Sequence, residues 1–306
     1  MLHIKTLEEG LDVFKALGSD IRIAIIRLLL KNNGMSMNEL ASCLNITNGA
    51  LTGHIKKLED CGIVTIVNEP AAHGNSKMCM VWLDKILIDF DTAESQKNIC
   101  ETEIRIGHYT NFQIYPVCGL ATASRFIGEV DDPRYFAHPD RVDAEILWFD
   151  KGYVEYVIPN FVPAYQKIDQ LSICAELGPN APGTDAVNPA NITFVLNDTA
   201  IGSWISPGDF GDHAGIFTPD WWYGNWNQHG MLKTITINQA GTFLDGLKIS
   251  SVSLKDFMLD YKSTIKFRIT INEEAEHTSG LTIYGRNFGN YNQHINVRIQ
   301  YSPMQN

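Results

Sequence analysis

Met35–Ile66, MSMNELASCLNITNGALTGHIKKLEDCGIVTI, is the stretch whose reading decides the fold. It reads as a helix, a turn at Asn45–Thr47, a second helix and the first strand of a hairpin. In the second helix Leu51, Ile55 and Leu58 fall at i, i+4 and i+7, the spacing of one buried stripe. At about 100° per residue the opposite face carries Gly49, Thr52, Gly53 and Lys56, with Asn48 in the first turn and Lys57 on a flank. Thr47 stands where its hydroxyl can cap the helix. Each glycine costs roughly 1 kcal/mol against alanine in a helix interior. That cost makes sense if the helix backbone must come close to another surface. An ordinary helical hairpin inside a larger core would show the same stripe, so the residues downstream have to decide.

Downstream lie Ile63–Asn68, a polar loop EPAAHGNSK at 69–77, and Met78–Leu83, a β-hairpin with a polar tip. Helix-turn-helix followed by such a hairpin is a winged helix. A short helix that exposes small, polar and basic residues is what the major groove of DNA admits. The candidate DNA-binding residues are therefore Thr47, Asn48, Gly49, Thr52, Gly53, Lys56 and Lys57, with Lys77 on the wing.

Residues 16–66 resemble the ArsR family of dimeric winged-helix repressors. ALGSDIRIAIIRLLL (16–30) matches that family's helix ahead of the helix-turn-helix, and ITNGALTGHIKKLEDCGIV (46–64) matches its recognition helix and the step into the wing. The resemblance implies a homodimer that binds an inverted repeat in double-stranded DNA, with a first helix, about Leu7–Leu17, in the dimer interface. Metal sensors of the family carry Cys-x-Cys where Ser36 and Asn38 stand here. Their other metal site needs paired Asp, His and Glu ligands on a C-terminal helix, and in this chain no two histidines are closer than 16 residues. No metal ligand is assigned, Cys43 is read as a small core residue and His54 as a packed histidine. A metal- or redox-sensing repressor stays as an alternative.

The 306 residues are enough for two domains or three. The N-terminus, MLHIKTLEEGLDVF, has acids where a signal peptide needs an apolar core, and no apolar run reaches the ~18 residues of a membrane span. The six cysteines are spread out and form no Cys-x-x-Cys pair. A cytoplasmic protein without membrane contact is expected, and Asn45, Asn191 and Asn197 are taken as chance glycosylation triplets. Residues 1–83 hold eight basic and eight acidic residues, so the net charge of −11 lies wholly in 84–306. That balance predicts a weak non-specific component of DNA binding and an acidic remainder that faces away from DNA.

Three segments are expected: a DNA-binding domain over 1–85, a linker over 86–101 and a β-sandwich over 102–306. From Thr102 onward short alternating runs dominate: 144–150, 152–159, 169–177, 191–204, 230–238, 263–272, 280–285 and 292–301. Their connections are rich in Gly, Pro, Asn and Asp, with no amphipathic helices between them, which predicts an all-β sandwich or jelly roll. The fold class is thus multidomain, an N-terminal α/β winged helix-turn-helix plus a C-terminal jelly-roll-like sandwich.

Chemistry in the second half concentrates in Trp204–Gly230, which holds four of the chain's six tryptophans. Sugars offer flat apolar faces rimmed by hydroxyls, so aromatic platforms beside Asn and Asp suit them. The candidate ligand residues are Trp204, Asp209, Trp221, Trp222, Tyr223 and Trp226, with Asn287 and Tyr291 in a second stretch at 284–294. The same aromatics would also serve to plug the sandwich end, since they bury more area than other side chains; both readings stand open. SWISPGDFGDHAG (203–215), GTFLDGLKIS (241–250) and YGRNFGNYNQHI (284–295) resemble, more loosely, bacterial regulators in which an ArsR-type head is fused to a jelly-roll-like domain. That resemblance implies a transcription factor responsive to a small-molecule effector, from a set whose genes tend to accompany carbohydrate-utilisation genes, and implies no site residues. The saccharide site rests on the aromatic and amide residues themselves. No catalytic residue and no cofactor are assigned. The enzyme alternative is a carbohydrate-active sandwich using two of Glu145, Asp150, Glu155 and Glu176, and a DNA-bound scaffold without effector is the third reading.

Overall fold

The computed structural model describes residues 2–4, 6–71, 74–81, 83, 86–88, 98–179, 189–207, 214–271 and 280–304. The chain divides into two compact units, Met1–Lys97 and Asn98–Asn306.

In the first unit β1 (Leu2–Ile4) precedes α1 (Leu11–Leu17) and α2 (Asp20–Asn32); β2 (Met35–Ser36) leads into α3 (Met37–Leu44), and α4 (Asn48–Asp60) follows. The wing is β3 (Thr65–Ala71) and β4 (Gly74–Met80), and β5 (Ile86–Ile88) pairs in parallel with β1. Ser36 and Glu39 form a reciprocal capping box at the start of α3, and Asn45 ends that helix in the left-handed region at φ 53°. Thr47 caps α4 as its position predicts: the Ala50 N–H donates to its hydroxyl at 3.2 Å. Leu51, Ile55 and Leu58 are at most 1% exposed and join Ile25, Leu29 and Leu40 in one core.

Two details of this unit differ from the sequence reading. The first helix starts at Leu11, after a turn, and it buries Val13 and Ala16 while Leu7 and Leu11 stay exposed. The wing strands run through the stretch read as a loop, pairing Glu69 with Ser76 and Ala71 with Gly74.

The second unit is a twelve-stranded antiparallel sheet folded into a sandwich. Its strands are β6 (Ile99–Ile104), β7 (Asn111–Ala121), β8 (Ile146–Ile158), β9 (Gln166–Pro179), β10 (Ala190–Leu196), β11 (Thr199–Ser206), β12 (Met231–Asn238), β13 (Gly241–Leu244), β14 (Leu247–Ser250), β15 (Ile265–Ile271), β16 (Leu281–Tyr284) and β17 (Ile295–Pro303). Two long strands fork. β8 pairs with β16 through its first residues and with β15 from Gly152 onward, while β7 lines its other edge. At Gly152 φ is +111°, and a Cβ would lie 1.9 Å from the Gln113 carbonyl oxygen, so only glycine fits where β8 changes partner. β9 pairs with β17 up to Cys174 and with β16 from Glu176, while β12 lines its other edge. Because β16 and β17 share one edge of β9, the connection between them must leave the sheet at Glu176.

Alternation explains the core. Along β10 and β15 every second residue is buried, and Phe194 stacks on Phe267 at 6.2 Å. A separate small cluster holds Ala121, Ile146, Trp148, Trp222, Tyr284 and Phe288.

Candidate functional site

Two places gather the residues singled out by sequence. The first is the outer face of α4, where Thr47, Asn48, Gly49, Thr52, Gly53, Lys56 and Lys57 are all exposed; Lys77 is exposed on β4. A Cβ built on Gly49 or Gly53 would meet nothing within 4 Å. Neither glycine is therefore required by packing inside the protein, and their helical cost has no internal return. The polar side chains on this face are partly engaged already. The Thr52 hydroxyl donates to the Asn48 carbonyl at 2.8 Å, and the Asn48 side-chain amide donates to Asn38 Oδ1 on α3 at 3.0 Å. Ser36 serves as a helix cap and Asn38 as a tie to α4. His54 is half-buried, as its flank position suggests, while Cys43 is exposed rather than a core residue because α3 turns its Leu40 and Ala41 inward.

The second place is one end of the sandwich. The segments 214–230 and 285–294 are far apart in sequence and lie cross-tied in space. The Phe217 N–H donates to the Gly289 carbonyl at 2.9 Å, the Gly289 N–H to Thr218 Oγ1 at 3.1 Å, and the Ile216 N–H to Asn290 Oδ1 at 3.0 Å. Beneath them sits Glu176, fully buried at the β9 fork. It accepts from the backbone N–H groups of Gly230 (2.8 Å), Asn290 (2.9 Å) and Tyr291 (3.1 Å). Gly289 is needed at this point, since a Cβ there would lie 2.3 Å from Glu176 Oε1. Burial pushes the Glu176 carboxyl up to about 8, against the three N–H groups, which favour its charged form.

The aromatic residues divide into packed and accessible ones. Trp222 is 5% exposed, with Trp148, Trp226 and Phe288 edge-on at 5.7, 5.1 and 5.0 Å. Tyr291 is buried as well, and Trp204 is not part of this group: it lies in the main core beneath the Lys233 ammonium at 4.4 Å. Trp221 and Trp226 are half-buried, and Tyr223, Asn225 and Asn287 are exposed. Asp209 falls outside the described residues. Phe126, which sequence reading missed, completes the accessible group: it lies 5.2 Å from Trp221, 6.4 Å from Tyr223 and 5.9 Å from Trp226. The neighbouring Ala123 carbonyl accepts from Trp221 Nε1 at 2.7 Å. Nothing local in the sequence marks Phe126, because its partners lie about a hundred residues later.

The four carboxylates weighed for catalysis differ in their partners, though Glu145 and Glu176 both accept from backbone N–H groups of the 285–294 connection. Glu155 is held by Arg268 at 2.6 Å, and Glu176 by backbone amides. Glu145 accepts from the Asn287 N–H at 3.2 Å and faces the buried His294 ring at 3.9 Å. Burial pushes that imidazole's pKa down, opposed by Glu145 and Glu103. Asp150 is half-buried, and burial raises its carboxyl. Among the described residues no three His, Cys, Asp or Glu side chains converge as a metal site, and no helix is long and apolar enough to cross a membrane.

Comparison with known proteins supports the first place. A family model for winged helix-turn-helix DNA-binding domains matches residues 19–65, which spans α2 to the first residue of β3. The N-terminal unit thus has the winged helix-turn-helix fold, with residues 19–65 similar to DNA-binding domains of that kind. A search of curated proteins finds no match. Among solved structures, the CBM36-1 domain of a multidomain xylanase from the hindgut metagenome of Trinervitermes trinervoides aligns at 8% identity and a TM-score of 0.30, over 67% of this chain and 100% of that one. The catalytic domain of a GH87 α-1,3-glucanase aligns at 11% identity and a TM-score of 0.26, over 68% of this chain and 29% of that one.

Proposed function

We propose that this protein is a ligand-responsive transcriptional regulator that acts as a repressor in the cytoplasm. Its α4 enters the major groove, and its sandwich binds a small effector, a saccharide, at the accessible aromatic rings. The observation that carries the DNA half is the open space beyond Gly49 and Gly53 on an exposed helix face. A helix that gains nothing internally from two glycines is shaped for something outside the protein. Lys56 and Lys57 on that face, with Lys77 on the wing, supply charge for phosphates.

A homodimer on an inverted repeat belongs to the same reading. Leu11 on α1 and Ile21 and Leu30 on α2 are 52%, 40% and 54% exposed, apolar surface that a second copy would cover. For the effector the support is the ring group of Trp221, Tyr223 and Trp226 with Phe126 packed against it, and the exposed Asn225 and Asn287 on the cross-tied connections. Stacking rings beside amides fit a sugar's apolar face and hydroxyls. The enzyme alternative uses two of Glu145, Asp150, Glu155 and Glu176 and differs in outcome.

The experiment is selection of binding sites from a random DNA pool, followed by titration of oligosaccharide pools into the complex. The reading expects an inverted repeat to emerge and one sugar class to change operator affinity without being cleaved. An effector that shifts operator affinity tenfold supplies about 1.4 kcal/mol of coupling, and DNA must then shift effector affinity by the same factor. Failure to enrich any sequence would sink the regulator reading, and turnover of the sugar would replace it with the enzyme.

A further inference from the structure

We infer that Asn38 on α3 is a positioning residue for base reading: its hydrogen bond sets the Asn48 amide at the N-terminus of α4 to take adenine. The inference rests on the DNA-binding reading above and goes beyond it by assigning a base and a residue that holds its reader. Asn38 Oδ1 accepts from the Asn48 side-chain N–H at 3.0 Å, and both residues are exposed on the outer side of the helix pair. The tie crosses from the first helix of the motif to the second.

A side-chain amide has one carbonyl oxygen and two N–H groups. One N–H held by Asn38 restricts the amide's rotation, and when the held N–H is the one trans to the carbonyl, the carbonyl and the cis N–H remain together for a base edge. An acceptor beside a donor on one edge is the complement of adenine, whose N6 amino group donates and whose N7 accepts in the major groove. Guanine offers two acceptors there, cytosine a donor alone and thymine an acceptor with a methyl group, so none of them satisfies both groups. The backbone around Asn48 favours the same end. Its carbonyl is capped by the Thr52 hydroxyl at 2.8 Å, and Gly49 beside it leaves room for close approach.

The free amide would rotate among several orientations, and holding it in one before DNA arrives removes that entropy from binding. Removing one hydrogen bond of this kind is expected to weaken adenine preference about fivefold. Asn38→Asp keeps an acceptor and cannot donate, so it preserves the orientation, whereas Asn38→Ala abolishes it.

The test measures binding of the full-length protein to its selected operator and to variants with each base at every half-site position. Asn48→Ala should flatten the preference at one position, and the wild type should prefer adenine there. Asn38→Ala should lower the adenine-to-other ratio at that same position about fivefold. Asn38→Asp should leave the ratio intact even where its charge lowers overall affinity. An unchanged ratio in Asn38→Ala, an equal loss in Asn38→Asp, or a base other than adenine at the Asn48 position overturns the inference while leaving the regulator reading in place. Absence of specific DNA binding by the wild type overturns both.

Discussion

The outer face of α4 and the loop pair at the sandwich end were both picked out by residue type, and the structure treats them in opposite ways. On α4 the small and polar residues stay outside, over open space, while the apolar stripe beneath does the packing. In the loops the distinctive residues are apolar themselves, so the same driving force that builds the core draws them in. Trp222 and Tyr291 are buried, and Trp204 belongs to another cluster altogether. The difference teaches which sequence signals survive folding. A polar face marked against its own helix propensity carries information about an external partner, whereas a dense aromatic run is divided between packing and contact, and only three-dimensional structure shows where the division falls.

The largest effect expected from this contrast is in the loops. Trp222→Ala removes a ring packed on Trp148, Trp226 and Phe288, and should cost the sandwich about 3–5 kcal/mol in chemical denaturation. A loss under about 1 kcal/mol would mean that Trp222 is free to serve a ligand. The next effect concerns Glu176. Its folded carboxyl titrates at about 8 against an ordinary 4.5, so between those values the unfolded chain binds fewer protons than the folded one. Stability from this group is complete below about 4.5 and is lost as pH rises through about 8. Thermal unfolding followed across that window should show the decline, and Glu176→Gln should remove it. His294, whose pKa burial lowers, adds stability as pH rises over part of that window, so the wild type is compared with Glu176→Gln. Identical slopes in the two would mean that the three backbone N–H groups outweigh burial.

How much of this was legible follows from the range of each interaction. The α4 stripe, the Thr47 cap and the strand alternation involve neighbours within a few residues, and periodicity reveals them. The runs 144–150 and 152–159 read as two strands, yet they are one, because Gly152 at φ +111° carries β8 past its change of partner. The β13–β14 hairpin was announced by Asp245-Gly246, both at positive φ, a turn signal that the reading passed over. The Ser36–Glu39 capping box was equally readable. Glu176 and Phe126 were not, since their partners lie from 54 to 115 residues away for the first and about a hundred for the second. The tie between Asn38 and Asn48 spans ten residues and depends on how two helices cross.

Smaller effects sharpen the same comparison. Lys56→Ala should weaken operator binding and, if the ammonium meets a phosphate, lower the salt slope by about one per contact, or two per dimer. An unchanged slope with unchanged affinity would take Lys56 out of the interface. Smallest of all, Tyr223→Ala should alter sandwich stability by no more than about 0.5 kcal/mol, because its ring is 53% exposed. Calorimetry with the effector should nevertheless show weakened binding in that variant. Retained effector affinity would remove Tyr223 from the platform.

The central claim is that α4 exposes its glycines for the sake of DNA, and Gly53→Leu tests it most directly. A Cβ there meets nothing within 4 Å, and leucine replaces the poorer helix former, so the protein should gain about 0.5–1 kcal/mol in denaturant unfolding. The same side chain should hold the helix away from the groove and reduce operator affinity at least tenfold in fluorescence anisotropy. A more stable protein that loses DNA is the result expected. A more stable protein that binds its operator as tightly as the wild type would show that this face does not dock on DNA.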